Sequence, residues 1–392
     1  MRILFTSLSC LIDPSSGAAI SVRTILRALA DRGHDVMSVS GACFDKAQKP
    51  SVVEMLKWSG FQKDADSLFW RYQDGPVTHL ARPFRSHRAA DATLEMINDL
   101  TETCSNVIGS FLPDTIISYG STPYEKSIRR LAQEKKIGSV FYLANPGYKS
   151  RETFRDADLV FTDSIATHDL YKDRLNLDST VIGKFIAQLD AARPSKSARH
   201  VTFINPSFHK GVTLFYRIAE MMNATLPSMK FLVVESRSNL TDVEDQTGLP
   251  FSQMRNIRRI GLQTDMTDVF SRTCVLLMPS VWHESGGRTA IEALSLGIPV
   301  VSANHGGLPE HLGDGALRFD VPNVMRENPQ LIPPPSVALP WVSALAQLWT
   351  DHDYWVERSH AASQQWTQHE PSERIKMIET DLLDMTNAKR SA

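Results

Sequence analysis

Short apolar runs alternate with amphipathic helical stretches along this chain, and the alternation occurs twice. Strands separated by helices belong in parallel sheets covered on both faces, so this pattern narrows the fold to an α/β class. In the first half, Ile3 to Ser7 reads as a buried strand, followed by the small-residue loop Asp13-Pro14-Ser15-Ser16-Gly17-Ala18-Ala19. A helix then starts near Ile20, with Val22, Ile25, Leu26 and Leu29 at helical spacing. Gly33 ends it, and Asp35 to Ser40 forms the next strand. Thr115–Ser118, Ser139–Leu143 and Leu159–Thr162 read as further strands, and Tyr124–Lys136 as a charged amphipathic helix. The stretch from Ala47 to Ile108 carries no clear period beyond a helical tendency.

Pro194-Ser195-Lys196-Ser197-Ala198 reads as a linker, after which the pattern restarts. Val201–Asn205, Lys230–Glu235, Val275–Met278 and Pro299–Ala303 are expected strands. Val212–Met222, Thr267–Arg272 and Thr289–Leu296 are expected helices. Asn328 to Pro340, with Pro333-Pro334-Pro335, is expected to carry the chain out of the second sheet into C-terminal helices. A length of 392 residues suits two domains. The expected boundaries are 1–187, a linker at 188–199, 200–350, and helices at 351–392 that pack back toward the first domain. Two Rossmann-like, doubly wound parallel-sheet domains would then face each other across a cleft, with ligands at the carboxyl ends of the strands.

Charge and cysteine content remove several functions. A net charge of −2 argues against a nucleic-acid binder that relies on a basic surface. Cys10, Cys43, Cys104 and Cys274 are too far apart for CxxC redox chemistry or a zinc knuckle, and read as free buried thiols. The apolar run after Arg2 is shorter than the ~7–15 residues of a signal-peptide core. No run reaches the ~18 apolar residues of a membrane span. The expectation is a cytoplasmic protein with at most peripheral membrane contact.

The segment richest in chemistry is Val275 to Glu310, VLLMPSVWHESGGRTAIEALSLGIPVVSANHGGLPE. A strand ends at Pro279-Ser280, a loop carries Glu284, and Ser285-Gly286-Gly287 lets backbone amides approach a ligand without side-chain bulk. A helix begins near Arg288, so its free amides and positive end face that loop. Glu292 lies about one turn in. Taken bare, two glutamates read as a solvated loop residue and a helix residue favoured by the dipole. The strand end, glycines and helix start around them favour a pair that accepts hydrogen bonds from sugar or ribose hydroxyls.

This segment resembles the donor-binding signature of glycosyltransferase family four and related retaining enzymes of GT-B fold. Pro279, Ser280, Glu284, Glu292, Ala293, Gly297, Pro299, Val300, Gly306, Gly307 and Glu310 match in order. The resemblance implies that Glu284 contacts the donor sugar and Glu292 the nucleotide ribose, with the amides of Ser285, Gly286 and Gly287 at sugar or phosphate. Lys210-Gly211 matches the family's diphosphate-binding lysine, whereas Pro206 stands near the place of its usual arginine. Arg237 or Arg288 would have to assist, and Arg288 reads equally well as a solvated arginine. Gly261 and Leu262 fall where the family lines its base pocket.

On the acceptor side, Gly17 and Ala18 fall in a glycine-rich loop of the family, and Asn145 and Tyr148 near a strand end where many members carry His-Asn. Here Ala144 replaces that histidine. His34 reads as structural, Ser164 as either a loop contact or a helix cap, and Tyr72, Phe84, Tyr124 and Tyr148 as core or an acceptor surface. The implied reaction moves a sugar from a nucleotide diphosphate, UDP favoured, to an unidentified acceptor with retention. No cofactor or metal is expected, because no Asp-x-Asp signature sits in a suitable loop. A nucleotide-sugar epimerase of the same fold and a non-catalytic nucleotide-sugar binder stay open as alternatives. A dinucleotide oxidoreductase fits less well, since Gly17 has no G-x-G-x-x-G context.

Overall fold

The computed structural model describes residues 1–44, 51–63, 68–84, 89–186, 189, 200–263, 265–369 and 371–391. The chain divides into two compact units, Met1–Phe185 with Pro371–Ala392, and Ile186–Glu370. Most of the expected linker at 188–199 lies outside the described residues.

The first unit is built on a nine-stranded sheet. Its order is Gln62–Lys63, Trp70–Asp74, Val77–Arg82, Asp35–Cys43, Arg2–Ser9, Thr115–Ser118, Gly138–Leu143, Leu159–Thr162 and Thr180–Val181. The pairings of Trp70–Asp74 with its two neighbours are antiparallel and the rest are parallel. Two readings are corrected here. The helix expected near Ile20 begins at Gly17, because Ser16 is extended and its hydroxyl accepts from the Ala19 amide at 3.5 Å. Gly17 and Ala18 are therefore the first helical turn rather than a loop. The weakly periodic stretch 47–108 supplies an edge hairpin and the helices Val52–Trp58 and Leu94–Phe111. Asp74-Gly75 marks the hairpin turn, with Gly75 at φ +57°, and Val77, His79 and Ala81 alternate inward. Its polar composition hid that alternation.

The second unit has six parallel strands in the order Ile257–Ile260, Phe231–Val234, His200–Ile204, Thr273–Met278, Val300–Ala303 and Ala316–Phe319. Counted along the chain, this is the 3-2-1-4-5-6 order, whose direction reverses between His200–Ile204 and Thr273–Met278. All six residues of Thr273–Met278 are buried, as a central parallel strand covered on both faces requires. Trp341 is fully buried, and the Trp355 indole donates to the Cys274 carbonyl at 2.9 Å.

The proline-rich stretch is only partly an exit path. Pro335 opens the helix Pro335–Thr350, where a missing N–H costs nothing, and Pro340 lies within it. The helix His352–Trp366 stays with the second unit, whereas Pro371–Ser391 packs Ile375, Ile378, Leu382 and Met385 into the core of the first. All four cysteines are free and buried, and burial pushes the Cys10 and Cys43 thiols up to about 12. No helix among the described residues is long and apolar enough to cross a membrane.

Candidate functional site

The reversal point of the second sheet brings together two loops that are distant in sequence. After His200–Ile204, Asn205 adopts φ +59°, which turns the chain out of the strand. Phe208–Lys210 then forms a single tight turn, and Ser207 caps it by accepting from the Lys210 amide at 3.3 Å. After Thr273–Met278, the chain passes through Pro279 and Ser280 to Glu284.

These loops meet in an ion pair. Lys210 Nζ donates to Glu284 Oε1 at 2.5 Å, and the Ser280 hydroxyl donates to the same oxygen at 2.6 Å. Glu284 is only 9% exposed. Burial by itself pushes its carboxyl up, but the Lys210 charge and hydrogen bond, with help from Ser280, outweigh it and hold the group below the ordinary glutamate value. Glu284 is therefore ionised at neutral pH.

A carboxyl depressed in the folded state contributes stability above its unfolded pKa, about 4.3, and loses that contribution as pH falls through the lower folded value. The second unit should accordingly lose stability on acidification below about pH 4. Glu284→Gln should flatten that part of the curve, as measured by denaturant titration at stepped pH. An unchanged pH profile in the variant would contradict the assignment.

The backbone of Glu284 is clamped as well. Gly307 N donates to its carbonyl at 2.7 Å. Gly306, at φ +64°, approaches so closely that a Cβ would lie 2.8 Å from the same carbonyl oxygen. The Gly-Gly of the signature thus holds the first glutamate, a role the sequence pattern alone did not reveal. Ser285, Gly286 and Gly287 are all buried. Gly287, at φ +60°, leads into the helix Arg288–Ser295 with no side-chain cap, and a Cβ there would lie 2.3 Å from Leu308 Cδ2. Gly211, at φ +80°, has Pro279 O at 1.9 Å from where its Cβ would be.

Arg288 and Glu292 form an i,i+4 ion pair in that helix, with Glu292 3% exposed. Arg288 is thus committed to the second glutamate rather than solvated alone. Arg237 is exposed after the neighbouring strand Phe231–Val234, and Pro206 is buried. Gly261 and Leu262 follow Ile257–Ile260, two strands from His200–Ile204, with Gly261 exposed and Leu262 half-buried.

The remaining expected residues belong to the first unit. Asn145 accepts from the Tyr171 hydroxyl through its carbonyl at 2.8 Å and from Gly147 N through Oδ1 at 2.8 Å. Tyr148 packs edge-on against Phe141 and Phe154, with ring centroids at 5.3 and 5.7 Å. Tyr124 is fully buried and bonded to Thr6, so it belongs to the core. Ser164 caps the helix Ile165–Leu175 by accepting from the Thr167 amide at 3.1 Å. His34 pairs with Glu379 at 2.8 Å, a contact with the C-terminal helix of the same unit. Among the described residues no group of three or more His, Cys, Asp or Glu is placed to hold a metal.

Ser280, His209, Trp282 and His305 are the site-forming residues for which the sequence suggested no role. The Pro-Ser pair was a signal for Ser280. The other three are brought in by loop geometry alone.

Residues 198–351 match the family Glycosyl transferases group 1. D-inositol 3-phosphate glycosyltransferase from Streptomyces avermitilis is 46% identical over 57 residues, a stretch that makes up 14% of this chain and 12% of that protein. Sucrose-phosphate synthase from Thermosynechococcus elongatus superposes with a TM-score of 0.70 at 15% identity, covering 99% of both chains. Anabaena Alr3699/HepE, solved in complex with UDP-glucose, superposes with a TM-score of 0.67 at 13% identity, covering 99% of this chain and 100% of that one. The two parallel-sheet units thus have the GT-B architecture of these solved structures, and the stretch 198–351, which carries Lys210, Glu284 and Glu292, is similar to the Glycosyl transferases group 1 family.

Proposed function

We propose that the chain is a retaining glycosyltransferase that moves a sugar from a nucleotide diphosphate sugar, a UDP-sugar by preference, to an acceptor hydroxyl. The observation that carries this reading is the Lys210–Glu284 ion pair at the reversal point of the sheet, where such folds hold their ligands. The UDP preference draws support from structural neighbours solved with UDP-glucose and UDP-2-fluoro glucose.

In the reaction the bond from the anomeric carbon to the diphosphate oxygen breaks, the acceptor hydroxyl oxygen bonds to the same face of that carbon, and the hydroxyl proton passes to the departing diphosphate oxygen. Negative charge grows on the departing diphosphate. Lys210 has three N–H donors and uses one on Glu284, so two remain for phosphate oxygens. An ammonium held in place before the charge develops stabilises it without reorganisation. Ionised Glu284 accepts from donor-sugar hydroxyls instead of acting as a general acid. Glu292, balanced by Arg288, accepts from the ribose hydroxyls. The free, buried thiols favour a cytoplasmic setting.

At least one of UDP, GDP and TDP is expected to raise the melting temperature, and Glu292→Ala to remove most of that rise. Differential scanning fluorimetry checks both, and no response to any of the three nucleotides would end the donor-site reading.

A further inference from the structure

The turn that positions Lys210 and the loop that positions Glu284 are joined by more than their ion pair. The His209 carbonyl accepts from Val281 N at 3.0 Å and from Trp282 N at 3.0 Å. On the other side, His305 Nε2 donates to the Trp282 carbonyl at 2.9 Å. Both polar atoms of the Trp282 backbone are thus fixed, one by each neighbouring loop. The indole is not fixed in this way. Its ring meets the His209 imidazole with centroids 4.6 Å apart and planes tilted at 59°. His209 is exposed and Trp282 half-buried. Among the described residues neither ring makes a hydrogen bond.

A rigid backbone therefore presents an aromatic surface, carrying unused N–H groups at its edge, one residue from Lys210 and two from Glu284. A pyranose ring is amphipathic in a complementary way, with C–H faces that pack on aromatic rings and a rim of hydroxyls that needs charged or polar partners. We propose that the paired rings of His209 and Trp282 are a platform for the pyranose of the transferred sugar and help to select it. The proposal rests on the donor-site reading given above.

The test follows the indole N–H resonance of Trp282 in ¹⁵N-labelled protein, assigned by its loss in Trp282→Phe. The ligands are the nucleoside diphosphate that stabilises the protein and its glucose, galactose and N-acetylglucosamine derivatives. At least one sugar nucleotide should move the resonance, while the nucleoside diphosphate alone leaves it in place. Trp282→Ala should weaken binding of that sugar nucleotide about three- to tenfold and change affinity for the nucleoside diphosphate less than about twofold. If Trp282→Ala does not fold, His209→Ala makes the same comparison on an exposed ring.

A shift equally large with the nucleoside diphosphate alone would assign the rings to base or phosphate and overturn the proposal. So would an immobile resonance in protein that binds the sugar nucleotide. If no nucleotide binds at all, it is the donor reading that fails. The platform is then judged by titration with free hexoses and disaccharides, where movement of the Trp282 resonance supports it and none overturns it.

Discussion

Lys210→Ala is expected to lower the turnover of sugar transfer by about 100-fold or more, the loss typical when one preorganised charge-stabilising donor is removed. The same change should destabilise the second unit. Glu284 is buried, and its charge is balanced by Lys210, with the Ser280 hydroxyl donating a second hydrogen bond to its carboxylate. Removing the ammonium leaves a buried carboxylate with one neutral donor, at a cost of about 1–3 kcal/mol. The carboxyl pKa rises in consequence, so part of the lost stability should return between neutral pH and about pH 5.

The double variant Lys210→Ala/Glu284→Gln separates the two effects. It replaces the unbalanced charge with a neutral amide, so stability should recover while transfer does not. Initial rates with a UDP-sugar and urea denaturation of Lys210→Ala, Glu284→Gln and the double variant measure this. A fully active Lys210→Ala would remove Lys210 from the proposed mechanism.

Gly211→Ala is expected to be the most damaging single methyl group in the second unit. Glycine is demanded there twice. Its φ of +80° disfavours any residue with a Cβ, and that Cβ would sit 1.9 Å from the Pro279 carbonyl oxygen. The obstacle is backbone on both sides, so no rotamer change relieves it. The turn carrying Lys210 would have to separate from the strand end that leads to Glu284. A loss of about 3 kcal/mol or more follows, which corresponds to a melting temperature lower by about 10 °C for a domain of this size. Gly17→Ala is the control. Gly17 has no positive φ and an added Cβ meets nothing within 4 Å, so that variant should be neutral or slightly stabilised. Equal melting temperatures for the two variants would contradict the argument.

The sheets around these residues were legible because a buried parallel strand announces itself locally. Thr115–Ser118 and Leu159–Thr162 were expected with the bounds they have, since every inward and outward position is apolar or small. The hairpin Trp70–Arg82 was not legible. It lies at a sheet edge, its outward residues are polar, and its inward set includes the buried polar residues Asp74 and His79. Asp74 is held there by Arg23 and Arg27, contacts that no local window contains. The start of the first helix was misplaced by three residues, because Ser16 lies in the run of small residues Ser15 to Ala19, in which no large apolar side chain marks where the helix begins.

For the site, the spacing of Glu284, Glu292 and the glycines was enough by itself to identify the segment that carries them, because strand, loop, helix and strand follow one another without a break. Spacing of that kind ranks residue types along one chain segment and cannot say what lies beside them. That Lys210 meets Glu284 across 74 positions, that Arg288 is committed to Glu292, and that Gly306 closes on the Glu284 backbone were decided by strand order. Placing His200–Ile204 next to Thr273–Met278 is a choice among non-local pairings. It is made by the burial of both strands in one core, and only the tertiary structure expresses it.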